Sequence, residues 1–223
     1  MVDFTTARRK MVDSQLRTSN VTHYGVLAAM GEVPREDFVP AAQRSLAYID
    51  EDILLKDADA GEPARYLTRP APFARLVQLV APGADDVALL VGAGGGYGAA
   101  VLAKMVSAVV ALECDEELAK EAGKTLDELG IDNAAVVVGP LQAGWPGEGP
   151  YDVILVDGAV EKLPDGLLDQ LKDDGRLVAV EGHGLAGKAI VYTRSDDDVS
   201  GRLGFNLALR SLPGFEKEPE FTF

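Results

Sequence analysis

The sequence predicts an α/β fold built on a doubly wound, mostly parallel sheet with an N-terminal helical extension. Two observations carry that prediction. The first is Val87-Ala88-Leu89-Leu90-Val91, a continuous apolar run that closes on Gly92-Ala93-Gly94-Gly95-Gly96. A run of that length bounded by turn residues reads as a buried parallel strand. The alanine-rich stretch Ala99 to Met105 follows and reads as a helix. Strand, glycine turn and helix open a nucleotide-binding βαβ unit of Rossmann-like type, in which glycines let a ligand approach bare backbone. The second observation is repetition. Apolar runs at Ser107–Leu112, Ala134–Val138, Tyr151–Val156 and Gly175–Val180 are interleaved with helical stretches at Asp115–Leu129 and Pro164–Leu171.

In chain order, Thr5 to Arg17 reads as an amphipathic helix, and Thr22 is placed to cap a second one over His23 to Gly31. Val33 to Pro40 holds two prolines and a charge cluster, a turn with apolar anchors. Ala41 to Leu55 reads as irregular or short-helical, and Asp57 to Pro63 as a polar loop. Pro72 opens a helix that runs to Val80. Gly92, Gly94 and Gly96 give G-x-G-x-G; a dinucleotide fingerprint would place its third glycine where Tyr97 stands. The compact spacing suits an adenosine ligand without a pyrophosphate. Glu113, about 20 residues past the first glycine and at the tip of the second strand, is placed to accept both ribose hydroxyls. Its alternative role is a charge near a helix N-terminus, one that Asp115, Glu116 and Glu117 already fill. Gly130 closes the Asp115 helix. Beyond the fifth strand, Lys188–Thr193 and Leu203–Leu209 are β-like, with a hairpin tip at Asp196–Asp198 and a close at Phe221-Thr222-Phe223.

Composition narrows the function. The formal net charge is −15, from 36 acidic and 21 basic residues. A chain this acidic is a poor match to nucleic acid or an anionic membrane, and points to small molecules or protein substrates. Cys114 is the single cysteine, which excludes an intramolecular disulfide. His23 and His183 are the only histidines and no ligand spacing surrounds them, so no metal is expected. The basic residues of Met1 to Lys10 are followed by no apolar stretch and no run reaches membrane length, so a cytoplasmic location is expected.

With these residues laid out, the chain resembles the protein-L-isoaspartate (D-aspartate) O-methyltransferases, a family of class I methyltransferases, nearly end to end. Val33-Pro34-Arg35-Glu36-Asp37-Phe38-Val39-Pro40 is similar to that family's VPRE-x-FVP, and Ala47-Tyr48-Ile49-Asp50 to its AY-x-D. Val91 to Tyr97 with Ala99 to Ala103 resembles its glycine motif and helix. Gly144-Trp145-Pro146 and Tyr151-Asp152-Val153-Ile154 resemble GWP and FD-x-I.

The resemblance implies S-adenosyl-L-methionine as cofactor and methyl transfer to the carboxyl group of isoaspartyl or D-aspartyl residues in proteins or peptides. It implies Thr68 at the catalytic position, in place of the serine of the family's T-I-S-Q-P, with Tyr66 and Arg69 contacting substrate. Arg65 or Arg69 is expected to attract the substrate carboxylate. Gly92, Gly94, Gly96, Glu113, Gly139, Leu141 and Asp157 are the expected cofactor-binding residues. The Asp57–Pro63 loop does not resemble the family's glycine-rich entry, and two further positions depart from the family. Leu90 stands where it has an acidic residue, and Pro140 where the aspartate of its G-D-G faces the adenine. They imply weaker cofactor binding and leave open a catalytically impaired protein of the same fold used for protein binding. A nicotinamide oxidoreductase is the weaker alternative, since position 97 is not glycine. Residues 1–80 are expected to form a helical and substrate-loop segment packed on a core of residues 81–223, as one structural unit.

Overall fold

The computed structural model of the chain describes residues 3–59, 63–182, 184–196 and 198–216. His183, Asp197, part of the Asp57–Pro63 loop and the Phe221–Phe223 close lie outside the described residues. Among the described residues, six α-helices and nine strands follow in order: α1 (Phe4–Met11), α2 (Tyr24–Glu32), β1 (Ile53–Lys56), β2 (Arg65–Leu67), α3 (Pro70–Val80), β3 (Val87–Val91), α4 (Tyr97–Ala103), β4 (Ala108–Glu113), α5 (Glu116–Glu128), β5 (Ala134–Val138), β6 (Tyr151–Val160), α6 (Asp165–Leu168), β7 (Leu171–Glu181), β8 (Lys188–Ser195) and β9 (Asp198–Asn206).

Seven strands form one sheet in the order β5-β4-β3-β6-β7-β8-β9. The pairings from β5 to β7 are parallel, and β8 and β9 close the far edge antiparallel. The chain winds outward from β3 through β4 to β5, then returns to β6 on the other side of β3. That reversal makes the carboxyl ends of β3 and β6 the switch point, where ligands of such sheets bind. Strand alternation sorts the core into two faces. Ala88, Leu90, Val109, Ala111, Val153 and Leu155 pack under the N-terminal segment, α3 and α4. Leu89, Val91, Leu112, Ile154 and Val156 face Leu141, Leu167, Leu212 and Phe215. Each fully buried Leu or Val contributes about 1.5–3 kcal/mol relative to exposure.

Helix α5 follows directly from its sequence. The Asp115 carboxylate accepts from the N–H groups of Glu117 and Leu118, and Leu118, Ala119, Ala122 and Leu126 are buried. Elsewhere the structure departs from the sequence expectation. The first helix ends at Met11 and continues as a π turn and a 3₁₀ turn, because the Ser14 and Thr18 hydroxyls bond the Lys10 and Ser14 carbonyls. The cap of α2 is His23 rather than Thr22, its Nδ1 accepting from Val26 N–H. Helix α3 begins two residues earlier than expected, with Pro70 in its first turn. The Ile53–Lys56 segment is a strand that pairs antiparallel with β2, a hairpin apart from the main sheet. Strands β6 and β7 are longer than their apolar runs, since their pairing resumes past an irregularity at Ala159↔Val180. The last run is β9, shifted toward the hairpin by its register with β8.

Leu90 belongs wholly to this packing. It is 0% exposed, and its Cδ2 lies 3.0 Å from where a Cβ on Gly98 would sit. A carboxylate there would enter the core and not a ligand site. Leu90→Glu is therefore expected to cost at least about 2 kcal/mol as a buried unpaired charge. For a domain of this size that lowers the thermal midpoint by roughly 4–8 °C or more, as calorimetric melting of the variant against the parent will show.

Candidate active site

The site gathers at the carboxyl edge of the sheet, around the glycine turn after β3. Gly94 takes a φ of +54° and Gly96 one of +96°, values that favour glycine. The Gly94 turn aims its N–H at the Glu113 carboxylate, 2.7 Å away at Oε2. Glu113 ends β4 and is 0% exposed. Its Oε1 accepts from the N–H groups of Cys114 at 2.9 Å and Asp115 at 3.1 Å. Arg65 of β2 completes the shell, donating from Nη1 to Oε1 and from Nη2 to Oε2, the latter at 2.9 Å. Arg65 thus turns inward, away from any substrate approaching over the edge. Its charge is held by Glu113 in spite of burial, which by itself would lower its pKa.

A second cluster lies beside it. The Thr68 hydroxyl donates to Asp157 Oδ1 at 2.7 Å. Thr68 follows β2, and Asp157 sits near the carboxyl end of β6. Asp157 is partly buried, and desolvation pushes its carboxyl up to about 6; the Thr68 hydroxyl and the Arg35 charge pull the other way. Asp52 lies alongside. Its Oδ1 accepts from the Arg69 N–H at 3.0 Å and its Oδ2 stands 3.5 Å from Arg210 Nε. The Arg210 guanidinium rests over the Tyr66 ring, 4.6 Å from its centroid, with its side chain 62% exposed.

Arg35 holds the cluster from beneath. It is 0% exposed, donates from Nε to the Ala47 carbonyl at 2.8 Å and from Nη2 to the Thr68 carbonyl at 2.9 Å, and stacks on Tyr97 at 4.9 Å. The carbonyl and hydroxyl of Thr68 are therefore fixed by separate partners.

The structure brings Thr68, Tyr66, Arg69, Glu113, Asp157 and the three glycines to one edge. Gly139 is close by, its N–H on the Glu113 carbonyl at 3.0 Å. The Leu141 side chain packs into the lower core face. Pro140 has a φ of −66° before a 3₁₀ turn, a value its ring prefers. Arg35, Asp52 and Arg210 escape a sequence reading. Arg210, 144 positions downstream of Tyr66, carries no local signal that it folds back onto that ring.

Comparison with known proteins agrees over most of the chain. The family model described as Protein-L-isoaspartate(D-aspartate) O-methyltransferase (PCMT) matches residues 6–202. A protein-L-isoaspartate O-methyltransferase of Gloeobacter violaceus is 41% identical over 172 residues, 77% of this chain and 81% of its own. Protein-L-isoaspartate O-methyltransferase 2 of Anaeromyxobacter sp. (strain Fw109-5) is 39% identical over 177 residues, 79% of this chain and 70% of its own. Among solved structures, a protein-L-isoaspartate O-methyltransferase superposes with a TM-score of 0.79 at 27% identity. The match covers 93% of this chain and 66% of that one.

Protonation of Asp157 has a sign that can be checked. A carboxyl raised to about 6 in the fold, from an ordinary value of 3.8, binds its proton more tightly when folded. Its stabilising contribution is full below about pH 4 and is lost as the pH rises through 6. Asp157→Asn keeps an acceptor for Thr68 and removes the charge. Its thermal midpoint relative to the parent is expected to rise by a few degrees between pH 4 and pH 7.5, measured by melting across that range.

Proposed function

The chain belongs to the protein-L-isoaspartate(D-aspartate) O-methyltransferase family, and from that premise we propose how its own residues carry out methyl transfer from S-adenosyl-L-methionine to the carboxyl group of isoaspartyl or D-aspartyl residues in proteins. The observation that carries the site assignment is the Thr68–Asp157 hydrogen bond beside the glycine turn.

The acceptor needs little activation. With a reference pKa of about 3.9, an aspartyl carboxylate is already ionised at neutral pH and needs no general base. The work left to the protein is to hold carboxylate oxygen, methyl carbon and sulfur in line. S-adenosyl-L-methionine supplies the methyl group on a sulfonium that leaves as a neutral sulfide. Gly92, Gly94 and Gly96 would let its backbone-contacting part approach the turn, and Glu113 would accept from its ribose. Gly139, Leu141 and Asp157 would line the rest of the cofactor site. The residues fit an adenosyl group on one condition, that Arg65 gives up its place on Glu113.

On the substrate side Thr68 is the catalytic residue. While Asp157 is ionised it takes the Thr68 proton in a hydrogen bond, so the hydroxyl turns a lone pair outward. When Asp157 is protonated it donates to Thr68, and the hydroxyl is released to donate to the acceptor carboxylate. Tyr66 and Arg69 would form the rim. Arg210, exposed and braced by Tyr66 and Asp52, is the cation suited to draw a carboxylate onto an acidic protein.

The net charge of −15 supports damaged proteins or peptides as partners over nucleic acid or anionic membrane. No helix of the described residues is long and apolar enough to cross a membrane. A lone cysteine fits a reducing, cytoplasmic compartment. Residues 1–80 act with residues 81–223 as one unit in this reading, supported by a core cluster that joins Met11, Val26 and Phe38 to Leu90 and Leu155.

An isoaspartyl-peptide assay with labelled methyl donor tests the assignment. Thr68→Ala is expected to lower kcat/KM at least ten-fold, with Thr68→Ser restoring most of it. Arg210→Ala is expected to raise KM several-fold with kcat little changed, the mark of lost ground-state attraction. Unchanged kinetics in both Thr68→Ala and Arg210→Ala would remove this cluster from the active site.

A further inference from the structure

We propose that Arg65 is a resident occupant of the ribose-acceptor position, and that this chain's affinity for adenosyl ligands is set by the displacement of Arg65 from Glu113. The proposal rests on the reading of Glu113 as ribose acceptor given above.

The donor count points to it. An ionised carboxylate offers about four lone-pair sites. Three backbone N–H groups, of Gly94, Cys114 and Asp115, already use the Glu113 oxygens. The Arg65 fork adds two parallel N–H donors, one to each oxygen, which brings the donors to five and more than fills those sites. A ribose presents two vicinal hydroxyls, also two donors at fixed spacing. The guanidinium therefore gives Glu113 the donor pattern that a ribose would give it. With Glu113 0% exposed, no free edge is left for a third party. An adenosyl ligand engages Glu113 by replacing Arg65, not by adding to it.

A purely structural role for the pair is the competing account, and two features weigh against it. Glu113 keeps three backbone donors without Arg65, so the guanidinium is not its sole support. The hairpin that carries Arg65 also has its own anchor, since Lys56 of β1 pairs with Asp115 and Glu117 at the start of α5. Arg65 can leave while the hairpin stays attached. The cost of that departure enters the ligand's apparent dissociation constant, which equals the intrinsic constant divided by the fraction of molecules with Glu113 open.

The test is calorimetric titration of the full-length chain with S-adenosyl-L-homocysteine, for the parent, Arg65→Ala and Arg65→Met, with thermal melting to verify folding. Arg65→Met keeps the bulk of the side chain should Arg65→Ala fail to fold. Either folded variant is expected to bind at least ten-fold more tightly than the parent, including the case in which the parent shows no heat and the variant does. If both variants bind as the parent does, or more weakly, Arg65 is no competitor and the proposal is overturned. If neither the parent nor any variant binds, the adenosyl reading of the glycine turn and Glu113 falls, and this proposal with it.

Discussion

The edge of this sheet depends on the burial of one guanidinium. Arg35 is fully enclosed, and a charge taken out of water is costly unless its donors are used. The fold uses two of the three nitrogens, on segments far apart in sequence, and leaves Nη1 without a hydrogen-bond partner among the described residues. The Nε donor goes to the Ala47 carbonyl and an Nη2 donor to the Thr68 carbonyl, while the flat face lies on Tyr97 next to the glycine turn. Glu36, the next residue, extends the tie to α1 by pairing with Arg8 and accepting from Tyr48. Two neighbouring residues of one short turn thus fix the N-terminal helix, the Ala47–Tyr48 turn, the Thr68 loop and the start of α4. Lysine could not take this role, having no planar fork to serve two carbonyls while stacking on a ring.

That constraint explains why Thr68 is a dependable position although it follows a strand of three residues. A two-stranded hairpin alone is marginal. Here Arg35 holds the Thr68 carbonyl, Asp157 the Thr68 hydroxyl, and Asp52 the next backbone N–H. The hydroxyl's position is set by contacts with three other parts of the chain, so its precision does not rest on the hairpin's own stability.

The same contacts show what the sequence could convey. The parallel sheet was legible because β3 to β7 are apolar runs between helices, and α5 because its cap, buried stripe and closing Gly130 agree. The glycine turn and Glu113 were legible by spacing. The β1–β2 hairpin was not, since a four-residue strand with one buried side chain has no period to detect. Arg65 was visible as a charge near the site, but its inward turn was not, because only the fold brings it to a residue 48 positions away. Leu90 shows the reverse error. Its family counterpart suggested a missing ligand contact, whereas strand alternation, read strictly, assigns it to the same face as Ala88 and hence to the core.

Four carboxylates described at this edge have partners within the chain. Glu113 faces Arg65, Asp157 accepts from Thr68, Asp52 serves Arg69 and Arg210, and Asp115 is divided between its helix cap and Lys56. Binding here is consequently an exchange of partners. A hydrogen bond to a charged group contributes about 1.5–3 kcal/mol net when made, but a ligand that must first displace an equivalent bond keeps only the difference. The guanidinium of Arg65 beside Glu113 lowers the attraction of that carboxylate for a cation such as a sulfonium. What remains to select a ligand is geometry, the glycine turn and the fixed hydroxyl of Thr68, with charge reduced to a contest at Glu113.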